Sequence, residues 1–199
     1  MSLWRGEPLV LASKSEVRGN LLAAAAIPFA VDPARIDERE VEAANETLSP
    51  PDAALLLARE KALEVARRRD GLVLGADQTL ALGERRYSKP VDLDSARAQL
   101  KSLGRQTHAL HSAAAVARGN EILFETVSTA RLTMRPLSDA FLDTYLSAAG
   151  DRVTKSVGGY QLEGLGVHLF EKIEGDHFTV LGLPLLPLLA YFRKSGMLP

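Results

Sequence analysis

The chain predicts an α/β protein with a mixed sheet, on three observations. Short apolar runs of strand length are interspersed with longer stretches whose apolar residues recur at helical spacing. The two kinds of segment do not keep a strict strand–helix–strand order, so an all-parallel sheet is not expected. At 199 residues and 46% apolar content, the chain has enough apolar surface for one substantial core. One domain over residues 1–199, or one domain with two lobes, is the expected organisation.

Residues 9–12 (LVLA) read as a short buried strand, followed by a helix that Ser15 would cap and whose one face carries Val17, Leu21 and Ala25. Residues 27–31 form a candidate second strand. Pro51 suits the first turn of a helix with Leu55, Ala58, Ala62 and Val65 on one side, closed by Arg67, Arg68, Arg69 and Gly71. Residues 72–76 (LVLGA) form a compact apolar run that would deliver Asp77 at the strand's C-terminal edge, where open α/β sheets place ligands. Residues 79–87 alternate around Gly83 as a hairpin does. Leu93, Ala96, Leu100 and Leu103 then mark a helix stopped by Gly104. Two strands are expected on either side of Arg118-Gly119-Asn120, and Ser138 would cap a helix bearing Phe141, Leu142 and Tyr145. After the glycine-rich SVGGYQLEGLG come a strand near 167–170 and a last helix opened by Pro184.

Composition narrows the function. Lys plus Arg (24) balances Asp plus Glu (25), so no global positive field would gather nucleic acid or an acidic membrane surface, and any anion site must be local. The absence of cysteine excludes a disulfide framework, thiolate zinc sites and a cysteine nucleophile. No run of about 20 apolar residues offers a membrane span, and the first residues carry too short an apolar run for a signal peptide, so a cytoplasmic protein is expected.

Several polar residues invite chemistry. A helix N-terminus presents free backbone N–H groups and the positive end of the macrodipole, and Ser13, Ser15 and Arg18 would surround one after the first strand. The alternative is that Ser15 merely caps the helix, with Lys14 and Arg18 in solvent. A Walker-type phosphate loop is absent. Asp77, attached to an apolar strand, would bind a cation or cap a local turn. Taken singly, Glu38 and Lys61 read as members of solvated faces. Lys89 precedes Pro90 and is biased to an extended conformation that projects its side chain. Gln161 and Glu163 would alternate across a strand, so at most one of them faces a given site. His108, His111, His168 and His177 lack an H-E-x-x-H pattern and read as structural or surface groups.

In chain order these segments are LASKSEVR, IDE, AREKA, GADQ, SKP, GYQLEGLG and IEGDHFTVLGLPL. That ordered set resembles the Maf family of nucleoside triphosphate pyrophosphatases over residues 9 to about 193. The resemblance implies a mixed twisted sheet with flanking helices and two lobes around a cleft. It also implies divalent-metal-dependent hydrolysis of a nucleoside triphosphate to the monophosphate and pyrophosphate, and commonly a homodimer. Matched residue by residue, the S-x-S-P-R-R motif falls on Ser13, Ser15 and Arg18, with Glu16 in place of its proline and Val17 in place of its first arginine. Glu38 matches the acidic site residue, Lys61 the lysine of A-R-x-K-A, Asp77 the catalytic aspartate and Lys89 the lysine of G-K-P, where Ser88 replaces the glycine. Gln78 stands where many members have threonine, and Glu163 where many have glutamine. Both replacements resemble the branch associated with 7-methyl-GTP.

The chemistry implied is coherent. A triphosphate carries about three to four negative charges, and releasing pyrophosphate requires that metal and cations neutralise them while water is aligned with the α-phosphorus. Asp77 and Glu38 would hold Mg²⁺ or Mn²⁺, with Asp77 as base; Ser13, Ser15, Arg18, Lys61 and Lys89 would cradle the phosphates, and Gln78 and Glu163 would contact substrate. The competing expectation is a nucleotide-binding regulator of septum formation with weak catalysis.

Overall fold

The computed structural model describes residues 3–199. The chain runs β1 (Leu9–Leu11), α1 (Glu16–Ala24), β2 (Phe29–Val31), α2 (Glu38–Ala43), α3 (Pro50–Ala66), β3 (Val73–Leu82), β4 (Arg85–Tyr87) and α4 (Leu93–Leu103). It continues through β5 (Thr107–Arg118), β6 (Glu121–Met134), α5 (Asp139–Ala149), three short 3₁₀ turns, β7 (Phe170–Glu174), α6 (His177–Val180) and α7 (Leu185–Lys194). Seven strands make one mixed sheet in the order β2-β1-β3-β5-β6-β7, with β4 on β3. β1 pairs in parallel with β2 and β3, whereas β4 on β3 and β7 on β6 are antiparallel.

By its internal contacts the chain divides into two compact units. The first comprises the chain up to Gln78, His111–Ser128 and His177–Pro199; the second comprises Thr79–Leu110 and Thr129–Asp176. The long strands β3, β5 and β6 contribute residues to both.

In the first unit, the two-residue period of a strand sorts side chains into two cores. Ala113, Ala115, Ala117 and Val73 pack with Ala54, Ala58, Ala62, Val65 and Ala66 of α3. Leu74, Ala76, Ala114 and Val116 pack instead with Leu21 and Leu22 of α1 and Leu185, Leu188 and Phe192 of α7. The first core is made almost wholly of alanine, and Gly75 completes it. A Cβ at Gly75 would sit 2.1 Å from the Ala58 carbonyl oxygen and 2.6 Å from the Ala62 nitrogen, so glycine is what lets α3 lie this close to β3.

The second unit holds β4, α4, α5 and β7, and its glycine-rich segment is built on Gly158 and Gly159, both at positive φ. A Cβ on Gly158 would meet Leu80 at 2.6 Å, and one on Gly159 would touch Ala96 and Leu100 of α4. Tyr145 donates to the Gly159 carbonyl (3.2 Å), and Tyr160 shares a 2.8 Å hydrogen bond with Nε2 of His108.

The local signals located most elements. Ser15, Ser49 and Ser138 cap α1, α3 and α5 as side-chain acceptors, and the Gly83 turn joins β3 to β4. Three expectations need correction. The strand does not end at Asp77 but continues to Leu82, so the carboxylate sits mid-strand, where an ammonium partner makes its burial tolerable. Residues 160–164 are not a strand: the Gln161 carbonyl accepts from the N–H groups of Gly164 and Gly166, closing turns that give Glu163 an exposed position. The strand expected near 167–170 begins at Phe170, because a 3₁₀ turn occupies Leu165–Leu169.

Candidate active site

β3 and α3 meet in a buried ion pair. Lys61 lies on the inward stripe of α3, three residues past Ala58 and four before Val65, and is only 6% exposed. Taken singly, the sequence gave it to a solvated face; the structure buries it and sends Nζ to Oδ1 of Asp77 at 2.7 Å. The same Nζ lies 2.9 Å from Oε1 of Glu38. Glu38 is the first residue of α2, a helix set up by Asp37, whose carboxylate accepts from the N–H groups of Arg39 and Glu40. One ammonium therefore joins two carboxylates that are 39 residues apart in sequence, Asp77 buried and Glu38 largely exposed.

The strand period explains why Asp77 meets α3: it shares the face of Val73 and Gly75, the face that α3 covers. Gln78, one residue on, points to the other face. Its Nε2 lies 3.0 Å from Ser112 Oγ and from the carbonyl oxygens of Thr179 and Val180. A residue expected to contact substrate thus has its amide donors engaged inside the protein.

Arg18 is not in solvent. Its Nε donates to the Gly182 carbonyl (2.8 Å), and its Nη1 donates to the Ala76 carbonyl (2.8 Å) and to Ser13 Oγ (3.1 Å). Burial holds its pKa below the usual arginine value, opposed by the negative charges of Asp77 and Glu38. Ser13 is buried, and its Oγ also accepts from the Ser15 N–H, while Ser15 Oγ caps α1 at the Arg18 N–H. Ser15 caps the helix and Lys14 is exposed, as the capping alternative expected, but Arg18 is not in solvent: its guanidinium bridges Ser13 Oγ and the Ala76 carbonyl, one residue before Asp77.

Formal charges cancel in this cluster, with Arg18 and Lys61 against Asp77 and Glu38. It gives a buried carboxylate an ammonium partner, but it has no surplus positive charge to set against a polyanion. Lys89 and Glu163 belong to the second unit, each exposed in an irregular segment. Among the described residues no group of three or more His, Asp or Glu side chains converges in a metal-binding arrangement, so a cation here would take only part of its ligand shell from protein. Sequence reasoning missed Ser112 and the Gly182 turn, which nothing in HSAAA or VLGL marks out except a hydroxyl within an alanine strand.

The comparisons with known proteins agree with the resemblance. The model of the family described as Maf-like protein matches residues 8–195. A nucleoside triphosphate pyrophosphatase of Bradyrhizobium diazoefficiens is 58% identical over 100% of this chain and 99% of its own, and one from Rhodopseudomonas palustris is 56% identical over the same shares. A 7-methyl-GTP pyrophosphatase of Rhizobium meliloti is 50% identical over 94% of this chain and 96% of its own.

Proposed function

The chain belongs to the Maf-like family, and from that premise we propose that it is a nucleoside triphosphate pyrophosphatase acting at the Asp77–Lys61–Glu38 cluster, with 7-methyl-GTP the first substrate to test. The observation that carries this reading is the single ammonium within 2.9 Å of two carboxylates. It keeps Asp77 paired while buried, one residue past the Ala76 carbonyl that Arg18 binds.

In the reaction, the oxygen of a water molecule bonds to the α-phosphorus while the bond from that phosphorus to the αβ-bridging oxygen breaks. Pyrophosphate leaves, the monophosphate remains, and Asp77 takes the proton of the water. Lys61 pairs with Asp77 Oδ1 and fixes the direction of the carboxylate. Ser13, Ser15 and Arg18 bind phosphate oxygens. Asp77 and Glu38 fit a hard divalent cation, since Mg²⁺ is commonly held by one or two carboxylates, with phosphates and water filling the remaining positions. When bound, Mg²⁺ or Mn²⁺ would supply the positive charge that the neutral cluster lacks. The sequence signs of the 7-methyl-GTP branch, Gln78 and Glu163, support that nucleotide as the candidate.

The test is product analysis. Purified protein with Mg²⁺ and a panel of 7-methyl-GTP, dTTP, UTP and inosine triphosphate is expected to release pyrophosphate and the monophosphate, fastest from 7-methyl-GTP. Release of orthophosphate, or tight binding without turnover, would contradict the reading.

A further inference from the structure

The two carboxylates of the cluster stand on different supports. Asp77 belongs to a buried stretch of β3, whereas Glu38 opens a six-residue helix with no buried side chain. Among the described residues, none between Ile27 and Pro50 is buried. Ala34 rests on the alanine core, but a single methyl group does little to set where Glu38 sits. What holds the segment is a polar network at the C-terminal end of α3, the helix that carries Lys61. Asp32 Oδ2 accepts from Arg68 Nη1 and from Arg69 Nε, both at 2.6 Å. Arg68 Nη2 donates to the Pro33 carbonyl (3.0 Å), and Arg68 Nε donates to Oε1 of Glu64 (3.0 Å). Glu64 Oε2 in turn accepts the backbone N–H of Arg35 (3.0 Å). A side chain, a carbonyl and an amide of residues 32–35 are thereby bound just before the turn into α2.

An isolated surface ion pair contributes little, but here one planar guanidinium serves three partners. The network is also partly withdrawn from water, with the side chains of Asp32, Glu64 and Arg68 only 14%, 24% and 25% exposed. Hydrogen bonds from Arg68 and Arg69 keep the Asp32 pKa below the usual carboxylate range, and Arg68 does the same for Glu64, so both stay ionised at neutral pH. We propose that Arg68 and Glu64 are positioning residues for the reaction: they clamp residues 32–35 to the end of α3 and so deliver Glu38 to the Lys61 ammonium, where it completes the carboxylate pair. The chemistry needs an arginine. A lysine keeps the charge but has no rigid fork with which to hold a carbonyl and two carboxylates in fixed directions. With the clamp open, Asp77 keeps its ammonium and Glu38 leaves it. The site then loses a cation ligand while its base stays in place.

The inference rests on Glu38 helping to hold the divalent cation of the proposed pyrophosphatase, and its test separates the two ideas. One readout needs no turnover. In Arg68→Gln, amide hydrogen exchange over residues 32–41 is expected to quicken about tenfold, while the amides of residues 73–77 in β3 stay within about twofold of wild type. Unchanged exchange at 32–41, or equal acceleration in β3, would overturn the clamp even if the protein hydrolysed every nucleotide. The second readout is the Mg²⁺ concentration that gives half the maximal rate on 7-methyl-GTP. It should rise about tenfold in Arg68→Gln and in Arg68→Lys, with kcat at saturating Mg²⁺ changed by less than about threefold. In a Glu38→Gln background the Arg68→Gln effect should disappear, since the group being positioned is gone. Full rescue by Arg68→Lys, or effects that multiply independently of Glu38→Gln, would overturn the assignment. Asp32→Asn leaves the guanidinium paired with Glu64 and serves in case Arg68→Gln does not fold: both readouts should move the same way by about threefold, and no movement in either would overturn the clamp. Faster exchange at 32–41 in a protein that hydrolysed no nucleotide would leave the clamp standing and remove the pyrophosphatase reading.

Discussion

Each unit buries a polar cluster, and the two solve the cost of burial in opposite ways. In the first unit, Lys61 and Asp77 are buried as charges and survive because each has the other, with Glu38 supplying a second, exposed carboxylate. In the second, His108 and Tyr160 are buried as neutral groups joined by one hydrogen bond. Burial pushes the His108 pKa down to about 4 and holds the Tyr160 hydroxyl far above its ordinary range, and Tyr145 beside the same glycine segment is pushed up to about 12. A buried ion pair is weak evidence of stability design, because apolar residues of similar size often serve as well. A charged cluster kept at a strand beside a bound arginine is better explained by what it does than by what it holds together. The neutral cluster needs no such explanation: it ties the 158–160 glycine segment to β5.

This contrast can be broken at each end, and the largest effect belongs to the charged cluster. Asp77→Asn removes the proposed proton acceptor while leaving an amide of nearly the same shape, and pyrophosphate release should fall by about 10³-fold with the fold retained, because Glu38 still pairs the Lys61 ammonium. A variant retaining full activity would remove Asp77 from the chemistry. Lys61→Met should instead cost stability. It leaves a buried carboxylate without its ammonium, a loss of about 4 kcal/mol in denaturant unfolding, and the double variant Lys61→Met/Asp77→Asn should regain much of it. If the double variant were as unstable as the single one, packing rather than charge would account for the loss.

The neutral cluster gives the smaller, pH-dependent effect. An unfolded histidine titrates near 6.5, whereas the folded His108 takes up its proton only near pH 4. Between those values the unfolded chain binds more protons, so this contribution to stability is fully present above about pH 6.5 and falls as the pH drops toward 4, by about 3 kcal/mol in all. His108→Gln should flatten that part of the stability profile. Equal slopes in the variant and wild type between pH 6.5 and 4 would show that His108 is not the group being charged.

What could be read from sequence was mostly local. Ser15, Ser49, Ser138 and the Gly83 turn act through neighbours three or four residues away, and the caps at Ser15 and Ser138 and the hairpin at Gly83 were legible for that reason. The helix carrying Glu38 was not, since it has six residues and none of them is buried, so it leaves no apolar stripe; only Asp37 as a capping residue marked it. The burial of Lys61 had a trace in its spacing from Ala58 and Val65, but a lysine in an apolar stripe reads as polar until its partner is known. That partner comes from a strand 16 residues later. Asp77 was legible as a carboxylate on an apolar strand, while the strand's continuation to Leu82 was not, because aspartate usually argues against strand. The partners of Gln78 lie 34 to 102 residues away, beyond the reach of any local pattern.

The central claim is that water, activated at Asp77, attacks the α-phosphorus. Hydrolysis of 7-methyl-GTP in ¹⁸O-labelled water, with wild type and Asp77→Asn side by side, tests it most directly by mass spectrometry of the products. The expected result is one ¹⁸O in the monophosphate, none in the pyrophosphate, and almost no product from Asp77→Asn. Label in the pyrophosphate, or equal labelling by the two proteins at equal rates, would contradict it.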